Sequence, residues 1–327
     1  MEDLVFTCNA VLPIILLMVL GYFLKRVGLI TPELAKGMNK LVFRAFLPVM
    51  LFLNIYNIED FTSISLGYVA YVVIFVIILF LICAPLLNKF MKDGRQKGAL
   101  LQCLFRSNFA LIGIPLATSI FGEKGAVVAT ILSAFIIPVF NVLAVISLSV
   151  FNSGEKKGID VKKILLGIAK NPLLHGILTG LIGLGIKSLL LQLGIDFRLS
   201  DLTVIYKPLT QLSSLATPLA LLALGAQFEF SAISSMKNAI IVGVSVRTVI
   251  VPFLGVLIAY LMGCFEGAHF ATFVAVFGTP VAVSSVPMAQ EMDSDVALAG
   301  QLVVWTTMVS AFTLFIMTLV LKAIGVF

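Results

Sequence analysis

The sequence has little charge, and what charge it has avoids the apolar runs. Charged residues are 12% of the 327, about half the share typical of a soluble domain. All 16 carboxylates fall in connections or near the ends of apolar runs. Proton and sodium couplers usually hold Asp or Glu inside the membrane, so such coupling is disfavoured, although backbone carbonyls can also hold sodium. No long polar stretch separates the runs, which leaves no room for a soluble catalytic domain. No Walker loop, zinc spacing, paired catalytic carboxylates or Ser/His/Asp set occurs, so neither an enzyme nor a cofactor is expected. The four cysteines, Cys8, Cys83, Cys103 and Cys264, form no CxxC and lie in apolar surroundings. They read as small buried hydrophobes, not as a metal site or disulfide framework. The net charge of +6 does not imply nucleic-acid binding, because basic residues also orient a membrane protein.

What remains is apolar. Hydrophobic residues are 60% of the chain and mean hydropathy is +1.14. The runs are continuous, not alternating, which predicts an all-α polytopic membrane protein and not a β-barrel. Ten spans are expected, at about 5–24, 38–56, 66–88, 98–121, 125–150, 165–186, 203–227, 237–262, 268–290 and 296–323. Glu2 and Asp3 precede the first run; a secretory signal wants a basic start, so this run is expected to be a true span. Connections 1–2, 3–4 and 5–6 hold Lys25, Arg26, Lys36, Lys40, Lys89, Lys92, Arg95, Lys97, Lys156, Lys157, Lys162, Lys163 and Lys170. The opposite side holds Lys124, Lys187, Arg198 and Lys207, with Lys322 at the end of the last span. Basic loops stay cytoplasmic, so a multi-pass plasma-membrane protein with both termini outside is predicted.

Two spans cannot be continuous helices. Arg106–Gly122 carries Gly113 and Pro115 near its middle, and Phe277–Gln290 carries Gly278, Pro280 and Pro287. Proline lacks an N–H and its ring strikes a carbonyl one turn back. In hydrocarbon, freed backbone groups persist only where protein or water satisfies them. A pair of Gly/Pro-interrupted spans in matching halves points to a transporter's binding site. The halves match elsewhere too. Leu12-Pro13 with Gly21 corresponds to Asn171-Pro172 with Gly180, and Leu47-Pro48 corresponds to Thr217-Pro218. Five spans is an odd number, so the second half is threaded oppositely, which predicts inverted five-helix repeats over 1–150 and 151–327.

These residues resemble the auxin efflux carrier family, in its bacterial form. The resemblance rests on Leu47-Pro48, Ser107-Asn108 through Leu116, Asn171-Pro172, Pro218 through Gly225, and Thr279-Pro280 through Ala289, and spans essentially the whole chain. It implies a scaffold of spans 1, 2, 6 and 7 and a transport domain of spans 3–5 and 8–10. In that domain helices 4 and 9 cross at prolines, here Pro115 and Pro280. It also implies small organic anions as cargo, malate- or malonate-like or auxin-like acids, and a homodimer through the scaffold helices. The long cytoplasmic loop of the plant members is missing; 151–164 is short.

Candidate binding residues follow from polarity within the spans. Arg247 lies well inside the eighth span, at a cost of about 2.5–3.5 kcal/mol on insertion scales. It is expected either to hold the anion or to cap carbonyls freed by the breaks. Asn108, Asn141, Ser284 and Ser285 can bond a carboxylate or join helices, and Gly113, Pro115 and Pro280 shape the breaks. Arg106 is expected to reach toward the cytoplasmic interface and Arg44 to be interfacial. His175 reads as a helix-terminus hydrogen bonder. The expected function is alternating-access carriage of a small carboxylate, by an elevator-type motion. A sodium- or proton-coupled uptake carrier and a non-transporting membrane sensor remain alternatives.

Overall fold

The computed structural model describes residues 2–58, 66–151, 170–229 and 232–326. The side chains of residues 1–11, Cys8 among them, and the cluster Lys156, Lys157, Lys162 and Lys163 lie outside what is described.

The described chain is helical: α1 (Glu2–Arg26), α2 (Pro32–Leu41), α3 (Leu47–Tyr56), α4 (Leu66–Phe90), α5 (Gly94–Phe105) and α6 (Ile114–Phe151), then α7 (Pro172–Gln192), α8 (Thr203–Gln227), α9 (Ala232–Ser245), α10 (Val251–Met262), α11 (Gly267–Gly278), α12 (Ser285–Glu291) and α13 (Val296–Ala323). Among the described residues, seven helical stretches are long and apolar enough to cross a membrane. The helices start where polar residues can cap them. Thr31, Asp93, Asn171 and Asp295 each accept a bond from a first-turn N–H, satisfying donors that the helix itself leaves free. Phe121 and Gly122 leave helical geometry, Gly122 at φ +60, so α6 is two helices in succession.

Three prolines are absorbed without a break. Pro48, Pro115 and Pro252 each sit second in α3, α6 and α10, directly after a five-residue π-turn at Val42–Phe46, Phe109–Gly113 and Val246–Ile250. In each case the residue before the proline donates five residues back, as Ile114 does to Phe109. The wider turn makes room where the ring would strike the preceding carbonyls. Pro115 therefore does not interrupt its span, contrary to expectation. The helix stops earlier, at Arg106–Asn108, and restarts at Phe109. Gly113 is small for a packing reason: a Cβ there would lie 2.4 Å from the Phe109 ring.

Glycines set the closest helix crossings. A Cβ on Gly225 of α8 would lie 1.9 Å from the Met18 carbonyl oxygen of α1, and one on Gly21 would lie 2.2 Å from that of Leu222. Gly176 of α7 approaches the Pro48 carbonyl of α3 in the same way, at 2.4 Å. Small residues let backbones approach where apolar lipid gives no hydrophobic drive for helix association. Gly176→Ala and Gly225→Ala should each destabilise the protein by about 1–3 kcal/mol, the usual cost of overpacking a fitted contact. Melting temperatures in detergent check this, and unchanged values would contradict the packing.

Beside α11, aromatic rings replace lipid. Tyr71 packs against Phe273 with ring centres 5.2 Å apart, and Phe75 against Phe277 at 4.7 Å. The Tyr71 hydroxyl donates to the Gly255 carbonyl. This wedge fixes the helix that leads into the second interruption.

Candidate functional site

The two interruptions meet. Leaving α5, Arg106 adopts extended geometry, and α11 gives way to residues 279–284 before α12 begins. Asn108 N–H donates to the Pro280 carbonyl at 2.8 Å, and Ser107 forms an antiparallel bridge with Val281. The Ser107 and Thr279 hydroxyls lie 2.6 Å apart, and Val281 N–H donates to Thr306 Oγ1 at 3.2 Å. These bonds satisfy backbone groups that hydrocarbon would otherwise leave unpaired. Pro280 thus stands at the crossing, opposite Asn108 and not opposite Pro115.

The two buried arginines have different surroundings. Arg247, in the π-turn before α10, is 1% exposed. Its Nε and one terminal nitrogen donate to the Thr279 carbonyl at 3.1 and 2.7 Å, and the same terminal nitrogen donates to that of Val276 at 3.1 Å. A cation at the carbonyl end of α11 also suits the helix dipole. Of the two roles considered for Arg247, this geometry is that of a cap, and Arg247 does not line the cavity described below.

Arg106 is where sequence expectation and structure differ most. It does not reach for the interface; it is 3% exposed and lines the cavity. One terminal nitrogen donates to Asn141 Oδ1 at 2.9 Å and Ser284 Oγ at 2.7 Å. The other donates to Gln102 Oε1 at 3.2 Å and touches the Met288 sulfur. Every one of these partners is neutral. Snorkelling fails because Arg106 leaves its helix at the interruption, where the nearest acceptors are those of the crossing itself.

The cavity measures about 60 Å³ and opens between the crossing and helices α3, α6, α7 and α8. Arg106, Asn108, Asn141 and Ser284 line one side, with Asn54 and Thr217 among the residues of the other. It contains no Asp or Glu among its lining residues. Met50, Asn54 and Thr217 also border a second cavity, of about 460 Å³, reaching α1 and α8 at Pro13 and Ser213. Gly113, Pro115, Pro280 and Ser285 do not line the cavity; the Ser285 hydroxyl is turned to the Ala282 carbonyl at 2.7 Å.

Away from that opening, three amides meet. Asn39 donates to Gln227 Oε1 at 2.9 Å and Gln290 Oε1 at 3.1 Å, and Gln227 donates to Gln290 at 3.3 Å. Arg44, expected to be interfacial, is exposed and pairs with Glu291 at 2.9 Å. The sequence reading missed this cluster, along with Asn54 and Thr217. Asn54 and Thr217 carried one signal, a polar group inside an otherwise apolar run; Asn39, Gln227 and Gln290 lie at the ends of their runs, where an amide is ordinary.

A family model described as membrane transport protein matches residues 6–318. An uncharacterized transporter of Methanothermobacter thermautotrophicus is 25% identical over 330 residues, covering 96% of this chain and 98% of that protein. The uncharacterized transporter MJ1031 of Methanocaldococcus jannaschii is 31% identical over 224 residues, 66% of this chain and 67% of its own.

Proposed function

The chain belongs to the membrane transport protein family, the auxin efflux carrier family its motifs resemble, and from that premise we propose that it carries small organic anions through the cavity at the crossing. The observation that carries this reading is Arg106, a buried cation lining that cavity beside neutral groups only. A carboxylate is the ligand that completes such a site, because a charge-assisted bond is about twice as strong as a neutral one. Asn108, Asn141 and Ser284 are the proposed polar partners, with Pro280 holding the crossing open and Arg247 securing α11 behind it. A thermal-shift screen of small mono- and dicarboxylic acids against their neutral amides tests the substrate class. Acids should raise the melting temperature and their amides should not; equal responses would contradict it.

The proposed transport cycle is an elevator-type alternation in a ten-span chain of two inverted repeats, 1–150 and 151–327, with both termini outside. The α1–α8 and α3–α7 glycine contacts support reading α1, α2, α3, α7 and α8 as a scaffold. The bonds of the crossing support α4, α5, α6 and α9–α13 as the moving bundle. A homodimer through the scaffold belongs to the same reading. At 100 mV, inside negative, a monovalent anion gains about 2.3 kcal/mol on leaving the cell, so uncoupled carriage favours efflux.

In this cycle Asn39, Gln227 and Gln290, with Arg44–Glu291, hold scaffold and bundle together on the basic side. Asn39→Ala with Gln290→Ala removes neutral hydrogen bonds worth about 0.5–1.5 kcal/mol each. The variant should increase labelling of a cysteine placed at Ala220, which lines the cavity, in a cysteine-free background. With three such bonds lost, the expected rise, for reagent supplied from the basic side, is at least about tenfold. An unchanged labelling rate would contradict the gating role.

A further inference from the structure

A third cavity lies apart from the crossing, on the outer wall of the bundle. It measures about 850 Å³ and is walled by α4, α5 and α9. Its sides are apolar stripes at helical spacing: Cys83 and Leu87 on α4, Leu100 and Leu104 on α5, Val242 and Val246 on α9 and the π-turn after it. Polarity is confined to one end, which is lined by Lys92 and Asp93, between α4 and α5, and by Lys237 in the second turn of α9.

Both lysines are exposed, and neither has a hydrogen-bond or ion-pair partner among the described residues. Their neighbours are engaged elsewhere. The Lys89 ammonium lies over the Phe90 ring, Lys97 donates to Asn88, and the Asp93 carboxylate caps α5. The apolar stripe has a definite length. From Lys237 to Val246 is nine residues, or about 14 Å at the helical rise. That is close to half of a hydrocarbon core of about 30 Å. A groove with two cations at one end and apolar walls for one leaflet's depth matches an amphiphile with an anionic head, and no soluble acid needs such walls.

We propose that this groove seats one anionic glycerophospholipid of the basic-side leaflet, its phosphate against Lys92 and Lys237 and one acyl chain along α4, α5 and α9. The site is independent of the cargo reading, because its walls and cations are separate from the crossing. Two lysines near a membrane surface give an anionic headgroup a preference of about thirtyfold over a zwitterionic one.

The test uses the full chain in neutral detergent, with dioleoyl phosphatidylglycerol and dioleoyl phosphatidylcholine titrated separately. Retained lipid is counted by native mass spectrometry. The wild type should retain one phosphatidylglycerol at about thirtyfold lower concentration than phosphatidylcholine. Lys92→Gln with Lys237→Gln should bring the two lipids to parity while the lipid-free melting temperature stays put, since both side chains are exposed and unpaired. Val242→Trp, which fills the groove, should lower retention of both lipids. Parity in the wild type, an unaltered preference in the double lysine variant, or full retention in Val242→Trp would each overturn the proposal.

Discussion

Replacing Arg106 with glutamine is expected to weaken binding of a small dicarboxylate such as malonate by about ten- to hundredfold. The range is that of a charged hydrogen bond, about 1.5–3 kcal/mol. Glutamine keeps donors near Asn141 and Ser284 and removes only the charge and the planar fork. The neutral partners of Arg106 explain why the loss should appear in binding: no protein carboxylate among the cavity-lining residues competes for the guanidinium. Arg106→Lys should recover part of the affinity, because a point charge replaces the fork. Calorimetry on the purified variants, with melting temperatures alongside, checks the outcome. Wild-type affinity in Arg106→Gln would remove Arg106 from the binding site.

Arg247 should behave in the opposite way. Replacing it with methionine leaves the Thr279 and Val276 carbonyls without the donors they now have. Each unpaired buried acceptor costs about 1–3 kcal/mol, so for the two carbonyls a loss of about 2–6 kcal/mol in stability is expected, with a clearly lower melting temperature. Substrate affinity of the folded fraction should stay within about twofold, because the side chain does not line the cavity. Weakened binding at an unchanged melting temperature would instead give Arg247 the anion-partner role its sequence position also suggested.

The contrast between these arginines shows what the sequence could and could not disclose. That two spans are interrupted was legible from Gly and Pro in hydrocarbon, where a missing N–H must be compensated. The place of the first interruption was not. A π-turn at Phe109–Gly113 absorbs Pro115, and π-turns leave no mark in a hydropathy pattern. Three such turns precede Leu47-Pro48, Ile114-Pro115 and Val251-Pro252, so a proline inside a span is a weaker sign of a break than it looks. With the break moved to Arg106–Asn108, Arg106 passes from helix flank to cavity wall. Depth along the span made Arg247 conspicuous, but which acceptors an arginine meets depends on Thr279 and Val276, some thirty residues on. The amide cluster was illegible for the same reason: Asn39 and Gln290 lie 251 residues apart. Gly21 and Gly180 were visible as matched positions, and the close backbone approaches at Gly21, Gly176 and Gly225 give such residues a steric reason.

The central claim is anion carriage through the crossing, and flux in liposomes tests it most directly. Purified protein would be reconstituted with radiolabelled malonate inside and a potassium-diffusion potential of either sign imposed. The account predicts release that depends on the protein, speeds up when the interior is negative, and drops by about tenfold or more in Arg106→Gln at subsaturating malonate. Release that ignores the potential and proceeds equally in Arg106→Gln, or binding of acids without any release, would contradict it.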